Sequence, residues 1–399
     1  MSQFLVVAYS FSLSLPITVP WVILTVGLIC MFVHFLVLAS QNKLRTEKNP
    51  FDAPLSKPIV IFALAVALSG AANGGMSEAF KSFQGLRGML VYFWAYWAFS
   101  NNAKLTIWSV MAILIAGSLS GSWAAIQQLT GFHPFSFAYL QGTGFLSGPM
   151  AFSGLAQLFS LLALGIYLKG GYKEFPFWLN NKYAFGLVLA GNCLGLLFCS
   201  ERSAWSGGVI ALILISFLVS KRTAILTSLS LLATVVLGWL ALPVVRSRLS
   251  ALTNWQADVS VTSRFVLWDR AWQVFKESPI FGIGIRHFPH LKIEEALKQG
   301  HLALDHAHSN YFHILATTGI VGFCAYLYLW FASIKLAFLE QKDARYSILQ
   351  QGIYLGILSG LISLAISGLF EYNFGTGQVR LAQWFLLAML ATSVYKTRL

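Results

Sequence analysis

Apolar runs of roughly 15 to 25 residues, about the length a helix needs to cross a bilayer, recur along the whole 399-residue sequence. Hydrocarbon offers no water to the backbone, so each N–H and C=O must be paired within its own segment, and runs of this length must be helices. The period-2 alternation of a membrane barrel is absent. The sequence therefore predicts an all-α, polytopic membrane protein with about 12 transmembrane helices, at about 4–18, 20–40, 57–73, 82–100, 104–129, 146–168, 183–199, 203–220, 222–243, 308–335, 346–370 and 378–396. Only 10% of the residues are charged, so each charge that falls between or inside these runs needs a reason. The N-terminus lacks a cleavable-signal pattern, and the first span is expected to be retained. Cys30, Cys193, Cys199 and Cys324 lie in or at the ends of apolar runs without metal-ligand spacing and are expected as thiols.

A net charge of +13 suggests a nucleic-acid partner, but its distribution follows the membrane instead. With the N-terminus inside, fifteen of the 27 basic residues fall in cytoplasmic connections and four (Lys81, Arg87, Arg202, Arg380) in short outside ones, which predicts both termini in the cytoplasm. The other eight lie in one segment near 244–307 that the layout puts outside, where a long loop translocates regardless of charge. The expected organisation is nine transmembrane helices over 1–243, a periplasmic loop over 244–307 and three more helices over 308–399. The loop is too small for a catalytic core of its own. Within it Phe265, Trp268, Ala271, Trp272 and Phe275 recur at helical spacing, predicting a short helix from Arg264 to Lys276, capped by Thr262 or Ser263, stopped at Ser278-Pro279 and lying at the bilayer surface. The uncharged, aromatic-rich connection at 130–147 suits lipid or glycan.

Three places carry chemistry. Arg202 is wedged between two apolar spans, where a guanidinium needs a partner or a cavity; it is either tied to Glu201 or an anion site suited to phosphate oxygens. Arg264 opens the aromatic helix on the same side. His308, in Asp305-His306-Ala307-His308-Ser309-Asn310, stands where the long loop meets an apolar helix and is the candidate general base, since imidazole accepts a proton near neutral pH. Asp305 is placed to orient it, with His306, Arg87 and Arg286 as supporting residues and Lys81 and Arg380 ranked behind them. His301, Asp305, His306 and His308 also form a loose metal set, but no further ligand-bearing helix supports one, and no metal is expected.

His308-Ser309, nine residues, Gly319, two residues and Gly322 resembles the signature of the bacterial O-antigen ligase and polymerase superfamily. Ser263-Arg264-Phe265-Val266-Leu267-Trp268, Pro279-Ile280-Phe281-Gly282-Ile283-Gly284 and Arg202-Ser203 strengthen the resemblance, which covers about 200–322. It implies a membrane-embedded glycosyltransferase of the C type in the bacterial inner membrane, without metal, nucleotide or other cofactor. The implied donor is a glycan on undecaprenyl pyrophosphate and the implied acceptor a sugar of the lipid A core, joined on the periplasmic face. Arg202 and Arg264 would hold the pyrophosphate, and His308 would activate the acceptor hydroxyl. Ser309 replaces the commoner asparagine of the signature. O-antigen polymerases and protein O-oligosaccharyltransferases share the pattern; the chain length, with no soluble domain after the last span, is closer to the ligases. A transporter of lipid-linked or anionic substrates also has many spans, but it would hold its charges at mid-membrane rather than on one face.

Overall fold

The computed structural model describes residues 2–43, 49–133, 142–250, 256, 258–291 and 305–392, and among these the ordered elements are all helical. In chain order α1 is Ser2–Ser12, α2 Thr18–Ser40, α3 Ser56–Gly85, α4 Leu90–Asn101, α5 Lys104–Thr130, α6 Pro149–Lys169 and α7 Lys182–Phe198. They are followed by α8 Arg202–Val219, α9 Lys221–Ala241, α10 Pro243–Ser250, α11 Val259–Glu277, α12 Asn310–Glu340, α13 Ile348–Ser367 and α14 Gly377–Ala391. Eight of these (α2, α3, α5, α6, α8, α9, α12 and α13) are long and apolar enough to cross a membrane. The expected spans near 4–18, 82–100, 183–199 and 378–396 fall on the shorter helices α1, α4, α7 and α14. The break expected after residue 73 is instead a kink: the chain turns at Gly74 and Gly75 (φ +66°) and resumes as helix to Gly85, a backbone that the missing Cβ permits. All four cysteines are free thiols. Residues 134–141 of the aromatic connection and 292–304, with His301, lie outside the described residues.

Lipid tails are as apolar as leucine, so helices in a bilayer associate through close packing rather than water exclusion. Glycines at four-residue spacing supply it. A Cβ on Gly352 of α13 would lie 2.8 Å from the Ile166 Cα of α6, and one on Gly356 2.6 Å from the Leu162 Cα. On α7 a Cβ at Gly195 would lie 3.1 Å from the Cα of Gly121 on α5. Polar cross-links reinforce both pairs: Ser363 Oγ donates to Gln157 Oε1 at 2.8 Å, and Asn192 Nδ2 to the Leu114 carbonyl at 2.9 Å. The short α4 is buried on every face from Val91 to Phe99, whereas α9 buries only Ala224 and Gly238 and must meet lipid.

The described residues 258–291 and 305–307 of the long loop are anchored onto this bundle. Asp258 caps α11, its Oδ1 accepting from Ser260 N at 2.9 Å, so the helix starts earlier than the Thr262 or Ser263 cap expected from sequence. Trp268 stacks on Phe312 of α12 at 5.3 Å and 14°, facing the bundle, while Phe265 and Trp272 of the same helix are exposed. Ala271 and Val274 join Phe288, Ala307 and Ala316 in a small apolar cluster.

The chain then crosses α12 where that helix breaks. Gly319 has φ +62°, and the carbonyls freed by the break accept from the crossing strand: Ala316 from Ile283 N at 3.1 Å and Thr317 from Gly284 N at 2.8 Å. Ile320 N donates back to the Pro279 carbonyl at 2.9 Å. Ser69 Oγ and Asn73 Nδ2 of α3 close the knot, donating to the carbonyls of Thr317 and Gly282, each at 2.9 Å.

Candidate active site

Four chain junctions converge: the α7–α8 turn, the start of α11, the start of α12 and the α13–α14 link. Ser309 caps α12, its hydroxyl accepting from Phe312 N at 3.4 Å, so His308 is left just outside the helix. Its backbone takes φ +45°, uncommon for a residue with a Cβ. Two other imidazoles support this turn, His306 Nδ1 accepting from His308 N at 3.2 Å and His313 Nδ1 from Ala307 N at 3.4 Å. The His308 ring is buried.

Its partner is Glu371, in the α13–α14 link. His308 Nδ1 lies 3.3 Å from Glu371 Oε1 and 3.4 Å from Oε2. An ionised carboxylate can only accept, which assigns the proton to Nδ1 and leaves Nε2 as the basic nitrogen. The link is pinned to α12 by a buried amide pair: Asn310 Nδ2 donates to Asn373 Oδ1 at 2.7 Å, Asn310 Oδ1 accepts from Phe374 N at 3.0 Å, and Asn310 N donates to the Gly368 carbonyl at 2.8 Å. Burial pushes the Glu371 carboxyl up, but the His308 hydrogen bond and the charges of His308, His306 and Arg264 outweigh it and hold the group below the usual carboxylate range.

Both arginines are fixed to the first turns of α11. Arg202 Nη1 is 2.7 Å from Asp258 Oδ2, so the helix cap, 56 residues along the chain, is a partner that the sequence around Arg202 did not offer. Burial opposes ionisation of Asp258, and the Arg202 hydrogen bond and charge overcome it, holding this carboxyl low. Arg264 donates from Nε to the Phe370 carbonyl at 2.9 Å and from Nη1 to Ser260 O and Oγ, both at 2.6 Å; its Nη2 is 3.7 Å from Glu371 Oε2. Glu371 thus touches both the candidate base and a permanent cation.

The supporting residues take partners of their own, and three of them, Asp305, His306 and Arg286, line one cavity. Asp305 lies 3.7 Å from His306 Nε2, and the carboxylate on His308 is Glu371 instead, reaching a backbone that turns at φ +45°. The His306 ring is 4.1 Å from that of His308. Arg286 pairs with Glu78 at 3.8 Å, and Arg87 sits 4.7 Å over the Trp21 ring. Among the described residues His306, His308 and Glu371 bring ligand atoms within 4.8 Å of one another, so a metal set would take Glu371 rather than Asp305. Arg264 already supplies a positive charge to that carboxylate.

Sequence reasoning missed Glu371 and Asp258. Glu371, in Phe370-Glu371-Tyr372-Asn373-Phe374, is a charge between two apolar runs, the same signal that singled out Arg202.

No curated protein matches the chain. Residues 185–327, which run from α7 past the break in α12 and contain Arg202, Arg264 and His308, match the family model described as O-Antigen ligase. The segment that carries the two arginines and the histidine is therefore a domain of the O-antigen ligase superfamily, set in an all-α polytopic membrane chain.

Proposed function

We propose that this protein is an O-antigen ligase that moves a glycan from undecaprenyl pyrophosphate to a lipid A core sugar on the periplasmic face of the inner membrane, both termini being cytoplasmic. The observation that carries the reading is the contact series Arg264, Glu371, His308, with Arg202 joined through Asp258. A diphosphate-linked sugar is already activated, so transfer needs positioning, a base for the incoming hydroxyl and positive charge at the departing group. The acceptor oxygen attacks the anomeric carbon as the bond to the diphosphate oxygen breaks. The hydroxyl proton passes to His308 Nε2, and Glu371 stabilises the imidazolium that forms. Arg202, through Nε and Nη2, and Arg264, through Nη2, receive the leaving diphosphate. In-line attack inverts the anomeric centre, and the two guanidinium groups take the part a metal plays elsewhere.

The test is transfer by the purified protein in lipid nanodiscs, with a lipid-linked glycan donor and a lipid A core acceptor. His308→Ala is expected to abolish product, and Arg202→Lys and Arg264→Lys each to lower kcat/KM at least tenfold, because an ammonium cannot copy the fork. Full transfer by His308→Ala refutes the base assignment, and activity lost to a chelator and restored by zinc refutes metal independence. Lipopolysaccharide from a strain lacking the gene separates the relatives: core without polymer supports ligation, core bearing one repeat unit supports a polymerase, and unchanged lipopolysaccharide with glycan-free target proteins supports a protein O-oligosaccharyltransferase.

A further inference from the structure

We infer that the cavity beside His306 is the acceptor subsite, and that it selects an acceptor glycan bearing a phosphate or carboxylate group. This deepens the transferase reading above and rests on it. The cavity holds about 460 Å³, inside the range of about 300–1,000 Å³ typical of small-molecule sites. Arg286, Asp305, His306, Tyr372, Thr376 and Arg380 line it. Arg202 and Arg264, the cations assigned to the donor, are not among its walls. His306 joins the cavity to the candidate base, one face being cavity wall and its ring lying 4.1 Å from that of His308. A sugar bound here is next to the ring that touches the base.

Arg380 indicates the charge of the ligand. Its Nε is buried without a hydrogen-bond partner, and no carboxylate pairs with its guanidinium among the described residues. The charge that acts on it directly is another cation, Arg87, with the Asp305 carboxylate elsewhere on the cavity wall, and the Gly88 position packs against Arg380 Nε at van der Waals distance. A half-buried arginine whose Nε is shut off from water is costly beside a second arginine unless an anion completes it, and the guanidinium fork matches phosphate and carboxylate oxygens. The other walls suit a sugar. The Tyr372 and His306 rings, 5.4 Å apart, offer an apolar face to a pyranose, and Asp305 and Thr376 offer acceptors to its hydroxyls.

The experiment uses the full-length protein in nanodiscs and has two arms. In the binding arm the probes are glucose 6-phosphate, glucuronate, glucose and inorganic phosphate. Wild type is expected to bind the two anionic sugars at least tenfold tighter than glucose or phosphate alone. Arg380→Gln should erase that preference, Arg380→Lys should restore part of it, and Arg286→Gln at the rim should weaken it severalfold. In the transfer arm, with phosphorylated and phosphatase-treated lipid A core, Arg380→Gln should raise the acceptor KM at least tenfold and leave the donor KM unchanged. Wild-type acceptor KM and anion preference in Arg380→Gln overturn the inference while leaving the transferase reading intact. Phosphate binding as tightly as glucose 6-phosphate overturns a sugar site. Absence of transfer by wild type with any acceptor overturns the transferase reading and with it the acceptor assignment, whatever the binding arm gives.

Discussion

Replacing Glu371 by glutamine tests the chemistry most directly, because the side chain keeps its size and loses only its charge. In the native site the carboxylate accepts from His308 Nδ1 at 3.3 Å and lies 3.7 Å from Arg264 Nη2. Glutamine can turn its amide toward Nδ1 and donate to it, which moves the ring proton to Nε2 and removes the base. It also withdraws the buried counter-charge from the imidazolium formed in the transition state. Breaking a buried pair by removing one partner costs about 3–5 kcal/mol, and a positioned general base supplies a factor of about 10²–10⁴. At about 1.36 kcal/mol per factor of ten the two estimates agree, so Glu371→Gln is expected to lower kcat about 10²–10⁴-fold with little change in donor KM. Initial rates of glycan transfer in nanodiscs measure this, with Glu371→Asp recovering part of the loss because the charge returns one methylene short. A Glu371→Gln rate within threefold of wild type would refute the assignment of Glu371 as the residue that fixes the tautomer of His308.

Gly319→Ala places a Cβ against the Ile280 carbonyl and 2.6 Å from Phe281 N at φ +62°, so strain and overpacking should together cost about 2–5 kcal/mol, whereas Gly170→Ala, at φ +78° in open space, should cost only about 1–2 kcal/mol; thermal unfolding in one detergent compares them. Asn310→Ala leaves Asn373 Oδ1 and Phe374 N without their partner, about 1–3 kcal/mol each, and should lower kcat more than either KM because Glu371 loses its register with His308. Burial first, and then the neighbouring His308, hold the His306 imidazole below the ordinary histidine range, so between that lowered value and about 6.5 the unfolded chain binds the extra proton and stability falls as pH drops below about 6.5. The lowered Glu371 carboxyl adds a second loss as pH falls further, below about 4.3 and through its folded value. Melting temperature should therefore decline from pH 7.5 to pH 5.5, and the decline should shrink in His306→Gln. An alanine inserted between Ile314 and Leu315 turns one end of the first half of α12 by about 100° against the other and should abolish transfer while membrane insertion, read by protease accessibility, persists.

The helices were legible because hydrocarbon leaves a long apolar run no other backbone; Arg202 and His308 were conspicuous as polar groups at span ends, and Arg264 as the basic residue opening the aromatic helix of the long loop. What the sequence hid were contacts between distant segments. Glu371 is 63 residues from His308 and Asp258 is 56 from Arg202, and no periodicity links either pair. Asp305, three residues from His308, was the natural orienter only while the turn was unknown. The short α4 carried no amphipathic signal because every face from Val91 to Phe99 is buried. At Gly74-Gly75 the glycine pair was read as a loop, and the chain turns there without leaving the helix for long.

The nine-residue spacing of the signature has a mechanical reason. Asn310 to Thr318 is two and a half helical turns, about 13.5 Å, and each end of this rod is held by a different part of the chain. Asn373 and the Gly368 carbonyl hold the end beside His308; Pro279, Ile283 and Gly284 hold the end at Gly319. The glycines in a pattern with one chemical residue are there because two backbones meet: a Cβ at Gly282 would lie 2.6 Å from both the Ala316 carbonyl oxygen and Gly319 N. Arg264 is referred to the same knot, since α11 ends at Glu277 and runs directly into the crossing at Pro279. Two rods therefore leave one fixed point, one carrying the proposed base His308 and the other Arg264, and Glu371 closes the triangle between their far ends. Such a frame fixes the distance between proton acceptor and positive charge and says nothing about sugars. Discrimination among glycans would then fall to walls outside the frame: Tyr372, Thr376 and Arg380 of the cavity lie beyond the 185–327 match, while Arg286, Asp305 and His306 on its other side lie within it.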